Sequence, residues 1–102
     1  MPRTGPAAAA IVGARIRGLR TERLRITQAD LQAMSGIDVV SIRKYEAGKT
    51  LPSLGGIVRL AFALGVDPGE LVKGIRPEAL DEQPEILRAA DFVDARRRRM
   101  GA

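Results

Sequence analysis

Cysteine, histidine and tryptophan are all missing from this chain. Without cysteine there is no disulfide and no thiolate chemistry. Without cysteine and histidine the usual zinc ligands are gone, and so are Ser–His and Cys–His catalytic pairs. No acid–base pair or metal cluster stands out among the remaining polar residues. The chain is therefore expected to be no enzyme and to hold neither metal nor cofactor. Aromatics make up only 3% of the residues, namely Tyr45, Phe62 and Phe92. The core must be built from Leu, Ile, Val and Ala, which suits small packed helices. No apolar run approaches the roughly 18 residues of a membrane span. Residues 1–10 lack the apolar stretch of a signal peptide, which points to the cytoplasm.

What is present is ordinary in amount and biased in sign. A chain of 102 residues suffices for one compact domain. It is 45% hydrophobic and 28% charged, typical of a soluble globular protein. The formal net charge is +5, and arginine supplies the surplus. A basic domain attracts polyanions, of which nucleic acid is the commonest, although a merely soluble basic protein shares this charge.

Along the chain the pattern is helical throughout. Residues 1–6 (MPRTGP) read as a short disordered arm. From residue 7 to about 23, Ile11 or Val12, Ile16 and Leu19 follow helical spacing. Thr27, with Asp30 three residues on, opens a second helix in the manner of a capping box. Leu31 and Met34 supply its apolar face, and Gly36 ends it. Asp38 caps a third helix from residue 39 to about 47, with Ile42 and Tyr45 on one face and Gly48 as its stop. Ser53 caps a fourth, with Leu54, Ile57, Leu60, Ala61 and Leu64 facing inward and Gly65 closing it. Asp67 caps a fifth, with Pro68 at the favoured first position and Gly74 at the end. Residues 77–84 are acidic. Pro84 is placed to open a sixth helix reaching about residue 98, with Ile86, Leu87, Ala90 and Val93 on one stripe. It ends in Arg96, Arg97, Arg98 and Arg99, cations that suit a helix C-terminus. These signals divide the chain into an arm (1–6), a helical domain (7–74) and a C-terminal extension (75–102). The fold class is all-α, with five helices and an optional sixth.

Residues 27–46 supply each part of a helix-turn-helix: two short helices, a glycine at the tight turn, and apolar residues locking the second helix on the first. Ile16-Arg17, Leu19-Arg20, Thr27-Gln28-Ala29-Asp30-Leu31, Ser35-Gly36-Ile37 and the run Ser41-Ile42-Arg43-Lys44-Tyr45-Glu46-Ala47-Gly48 follow in order. Pro52-Ser53-Leu54 and Leu60-Ala61-Phe62-Ala63-Leu64-Gly65-Val66 come next. Over about residues 11–73 this series resembles the Cro/C1-type helix-turn-helix domains of phage repressors and bacterial regulators. The resemblance implies a five-helix, lambda-repressor-like fold. It implies that Gln28 contacts a phosphate, as a helix start suits. It also implies that the exposed front of helix 3 reads bases, through Val39, Val40, Ser41, Arg43 and Lys44 beside the capping residue Asp38. Glu46 would pair with a helix-1 arginine, Arg20 or Arg17. Two features depart from the family pattern. The segment from Arg20 to Thr27 is one residue longer and has Leu24-Arg25 where a glycine is common. Val39 and Val40 replace polar readers; valine packs on a thymine methyl but makes no bidentate bond.

The function implied is a sequence-specific double-stranded-DNA-binding transcriptional regulator, most simply a repressor. It would bind as a homodimer on a pseudo-palindromic operator with half-sites about 10 bp, or a multiple, apart. The dimer contact could be the sixth helix or helix 5. An alternative is an antitoxin-like module that holds a protein partner through the 77–95 segment.

Overall fold

Side-chain caps and left-handed glycines set the helix boundaries. The computed structural model describes residues 5–80 and 88–101, and all regular structure among them is helical. Helix α1 is Ala7–Gly18, followed without a break by a π-helical turn, Leu19–Leu24. Then come α2, Gln28–Ser35; α3, Val39–Glu46; α4, Leu54–Leu64; and α5, Pro68–Val72. A single 3₁₀ turn, Pro77–Ala79, precedes α6, Ala89–Met100. The expected all-α, five-helix order is what the chain adopts. Arm residues 1–4 lie outside the described residues. Gly5 and Pro6 are half-buried, with Gly5 close against the backbone of Gly48 and Lys49.

Local chemistry explains several of these boundaries. Thr27 Oγ1 accepts from the Asp30 N–H at 3.0 Å and Asp30 Oδ2 accepts from the Thr27 N–H at 2.9 Å, a complete capping box. Ser53 Oγ accepts from the Gly56 N–H at 3.1 Å and starts α4. Asp67, expected to cap α5 through its side chain, does not; its backbone carbonyl takes the Glu70 N–H instead. Gly36 ends α2 at φ 74°, a conformation that costs a side chain about 1–2 kcal/mol and glycine nothing.

Helix 1 was expected to run regularly to about residue 23. Instead the Arg20 carbonyl accepts from the Arg25 and Ile26 N–H groups, five and six residues on. This wide turn absorbs the extra residue in the segment. Arg25 then reverses the chain at φ 56°, doing with a side chain what glycine does in the family pattern.

The core is one apolar cluster. Val12 and Ile16 of α1 meet Leu31, Ile37, Ile42, Leu71 and the inner face of α4, where Ile57, Leu60, Ala61 and Leu64 are buried. Burying each larger aliphatic side chain contributes about 1.5–3 kcal/mol. Helix α1 crosses α3 so closely that a methyl on Gly13 would strike the Tyr45 carbonyl.

Two expected inward residues point out. Leu54 is 79% exposed, because it shares the outer face of α4 with Val58 and Phe62, four and eight residues on. Met34 is 52% exposed, because α2 has two turns and only Leu31 meets the core. The last helix is described from Ala89, behind an N-cap position filled by Arg88. Of its expected stripe, Ile86 and Leu87 lie outside the described residues with Pro84. No residue of α6 is buried.

Candidate nucleic-acid interface

Three side chains close the turn between α2 and α3. Gln32 Oε1 accepts from the Val39 N–H at 2.6 Å, satisfying an orphan donor at the start of α3. Ser35 Oγ donates to the Leu31 carbonyl at 2.6 Å and accepts from the Ile37 N–H at 3.2 Å. Asp38 Oδ1 accepts from the Ser41 N–H and Oδ2 from the Ser41 hydroxyl, both at 2.9 Å. These bonds, the Ser41 N–H first, hold the Asp38 carboxyl below its ordinary range. The Thr27 backbone N–H, with the Thr27 hydroxyl group behind it, does the same for Asp30.

The entry into α2 is tied to the end of α3. Arg20 Nε donates to Glu46 Oε2 at 2.7 Å and its terminal nitrogen Nη2 to Oε1 at 2.8 Å, a bidentate pair. Nη1 of the same arginine donates to the Ile26 carbonyl at 2.9 Å. Gln28 Nε2 adds a bond to Glu46 Oε1 at 3.1 Å. The hydrogen bond to Glu46 raises the Arg20 pKa, outweighing the burial that lowers it. Of the two arginines open at the sequence level, Arg20 is the partner; Arg17 is not.

The sites proposed from sequence divide into three groups. Val40, Arg43 and Lys44 lie exposed on the outer side of α3. Val39 is half-buried, and Ser41 and Asp38 are engaged with each other at the helix start. Gln28 sits at the first turn of α2 and shares a depression of about 610 Å³ with Arg43. The structure thus brings Gln28 and Arg43 together, while Val40 and Lys44 do not line that depression.

Sequence reasoning passed over three participants. Arg17 and Arg25 line the same depression, which holds four arginines against the single acid Glu46. Among the described residues Arg17, Arg25 and Arg43 have no ion-pair partner. The signal for Arg25 was a side chain standing where a glycine is common. Gln32 carried no signal, because its role exists only once α3 is placed.

Such an arrangement suits a polyanion. Free N–H groups at the start of α2, the Gln28 amide and three unpaired guanidinium groups surround one concave surface. Beside it α3 offers a methyl surface at Val40 and donors at Arg43 and Lys44, the groups that read base edges in a major groove.

Comparison with known proteins matches the segment that carries this surface. A helix-turn-helix family model matches residues 16–71. Repressor protein C2 of Salmonella phage P22 is 38% identical over 64 residues, which is 63% of this chain. The chain spans 29% of the length of that repressor. The solved restriction-modification controller protein C.AhdI from Aeromonas hydrophila is 37% identical, with a TM-score of 0.60. That match covers 64% of this chain and 97% of the controller. The P22 c2 repressor solved in complex with a synthetic operator is 37% identical, with a TM-score of 0.58, covering 64% of this chain and 97% of that one.

Proposed function

The chain belongs to the helix-turn-helix family, and from that membership we propose that it is a sequence-specific double-stranded-DNA-binding transcriptional regulator acting as a repressor. The observation that carries the reading is the Arg20–Glu46–Gln28 network, which fixes the start of α2 against the end of α3. It sets a phosphate-binding surface and a base-reading helix at one fixed angle. Gln28, Arg17 and Arg25 take phosphates on one strand. Helix α3 enters the major groove, where Arg43 or Lys44 reads guanine and Val40 packs on a thymine methyl. Val39 and Ser41 border that contact, and Asp38 orients the helix by capping it.

One helix of this length reads few bases, so a homodimer binds two half-sites about 10 bp, or a multiple, apart. The five helices through residue 74 form the DNA-binding unit, and residues 75–102 form an extension. The protein works in the cytoplasm, on the nucleoid.

Selection of bound sequences from a random DNA pool tests this reading. The expected result is one enriched motif with two-fold symmetry and the stated spacing. A pool with no enriched sequence at physiological salt would overturn it.

A further inference from the structure

The front of α3 keeps few hydrogen-bond donors for a base. Gln32 Oε1 accepts from the Val39 N–H and Asp38 Oδ1 from the Ser41 N–H, with the Val40 N–H also drawn to the Asp38 carboxylate. The Ser41 hydroxyl is spent on the other Asp38 oxygen. The side chains of Val39 and Val40 offer methyl groups alone, and Arg43 and Lys44 stand one turn further along. The first turn of α3 therefore has no free donor of its own.

One donor does remain beside that turn, and it belongs to α2. An N–H group bonds only the oxygen of an amide, so the 2.6 Å contact fixes which end of Gln32 meets Val39. Oxygen and nitrogen of one amide lie about 2.3 Å apart, which puts Nε2 within about 5 Å of the Val39 nitrogen. Gln32 is exposed, and among the described residues nothing accepts from its Nε2. Gln28 and Gln32, four residues apart, share one face of α2. That face ties down both ends of α3, with Gln28 bonded to Glu46 and Gln32 to Val39.

We propose that Gln32 is a specificity-determining residue: its Nε2 donates to an acceptor on a base edge in the major groove, next to the base pair that meets Val40. The acceptors open to it are guanine O6 and N7, adenine N7 and thymine O4. The Val39 bond holds the amide in place before DNA arrives, so less side-chain freedom is lost on binding. The same bond uses up Oε1, so Gln32 does not make the two-point contact of a free glutamine with adenine. It reads through one bond. A base edge suits Nε2 better than a phosphate does, because the Asp38 carboxylate stands at the same helix start and repels the backbone. The polar reader that Val39 and Val40 do not supply thus comes from the neighbouring helix.

This role rests on the DNA-binding reading. Selection from a random DNA pool, run with the unaltered chain, Gln32→Met and Gln32→Glu, tests it. The three residue types favour helix about equally and the position is exposed, so both variants should melt with the parent. Gln32→Met should keep the motif except at one base pair of each half-site, where preference fades. Anisotropy on the parent's selected site should show a loss of about two- to tenfold, the share of one neutral hydrogen bond. DNA altered at that pair alone should bind parent and Gln32→Met equally. Gln32→Glu keeps an oxygen for the Val39 N–H and loses the donor. It should shift that pair toward cytosine, whose amino group suits a carboxylate.

A Gln32→Glu motif identical to the parent's would show that Gln32 only steadies α3, and would overturn the proposal. So would an equal loss on every sequence in Gln32→Met, the mark of a phosphate contact. If the unaltered chain enriches no motif, the DNA reading falls and this role with it. If it enriches one that both variants preserve, this role alone falls.

Discussion

Glu46 accepts three side-chain hydrogen bonds, two from Arg20 and one from Gln28, and its side chain is 5% exposed. Removing it strands a guanidinium group that also bonds the Ile26 carbonyl. Glu46→Ala should therefore destabilise the fold by about 2–3 kcal/mol in urea denaturation, toward the lower end for buried pairs because a depression opens beside it. Arg20→Lys should recover little, since one ammonium cannot match both oxygens. Sequence reasoning narrowed the partner of Glu46 to Arg20 or Arg17 and stopped there. The choice depends on the π turn that follows Gly18, and nothing in the residue spacing announces its geometry. Arg43 and Lys44 were legible as exposed cations on α3, and both are exposed. Replacing them together by alanine should weaken binding to the selected DNA by roughly 2–5 kcal/mol in fluorescence anisotropy. An unchanged affinity would remove them from the reading face.

At the scale of elements, caps and stops were legible because each is a contact between near neighbours in sequence. Thr27, Asp38, Ser53 and Gly36 all act within four residues of themselves. Helix faces were less legible, because Leu54 and Met34 have the right chemistry for a core and only the packing of other helices decides which face is covered. The extra residue before Thr27 was visible as a length, and its resolution into a π turn ending at Arg25 was not. That residue combines a strained backbone with a place on the basic depression. Arg25→Gly should raise stability by up to about 1 kcal/mol by relieving the left-handed conformation. It should also weaken DNA binding through loss of a phosphate contact, so melting temperature and affinity should move in opposite directions. Gly13 makes the converse case. Alanine in a helix interior normally gains about 0.5–1 kcal/mol over glycine. Here the added methyl meets the Tyr45 carbonyl, which is backbone and cannot swing away. Gly13→Ala should destabilise by about 1–3 kcal/mol or more, read from the denaturation midpoint.

For the whole molecule the question is what the residues after Leu80 add, since among the described residues the buried cluster and the hydrophobics packed against it lie within residues 8–75. Every buried hydrophobic residue among those described lies between Ala8 and Leu71. Helix α6 buries none, though Phe92 and Met100 are 50% and 78% exposed upon it. Its net effect is therefore electrostatic. Arg96, Arg97, Arg98 and Arg99 occupy consecutive positions, about 100° apart around the helix, so they point in different directions. Only one or two of them can face a DNA backbone at once; the others stay in water. A chain ending at Leu80 should then melt within about 2 °C of the full chain, since no core contact is lost. Its preferred DNA sequence should be unchanged. The slope of log affinity against log salt should become shallower by about 1–2, one counterion per lost phosphate contact. Anisotropy titrations of both chains across a salt series measure this directly. A fall in melting temperature of several degrees would show that the extension completes the fold, and a shifted sequence preference would show that it reads bases.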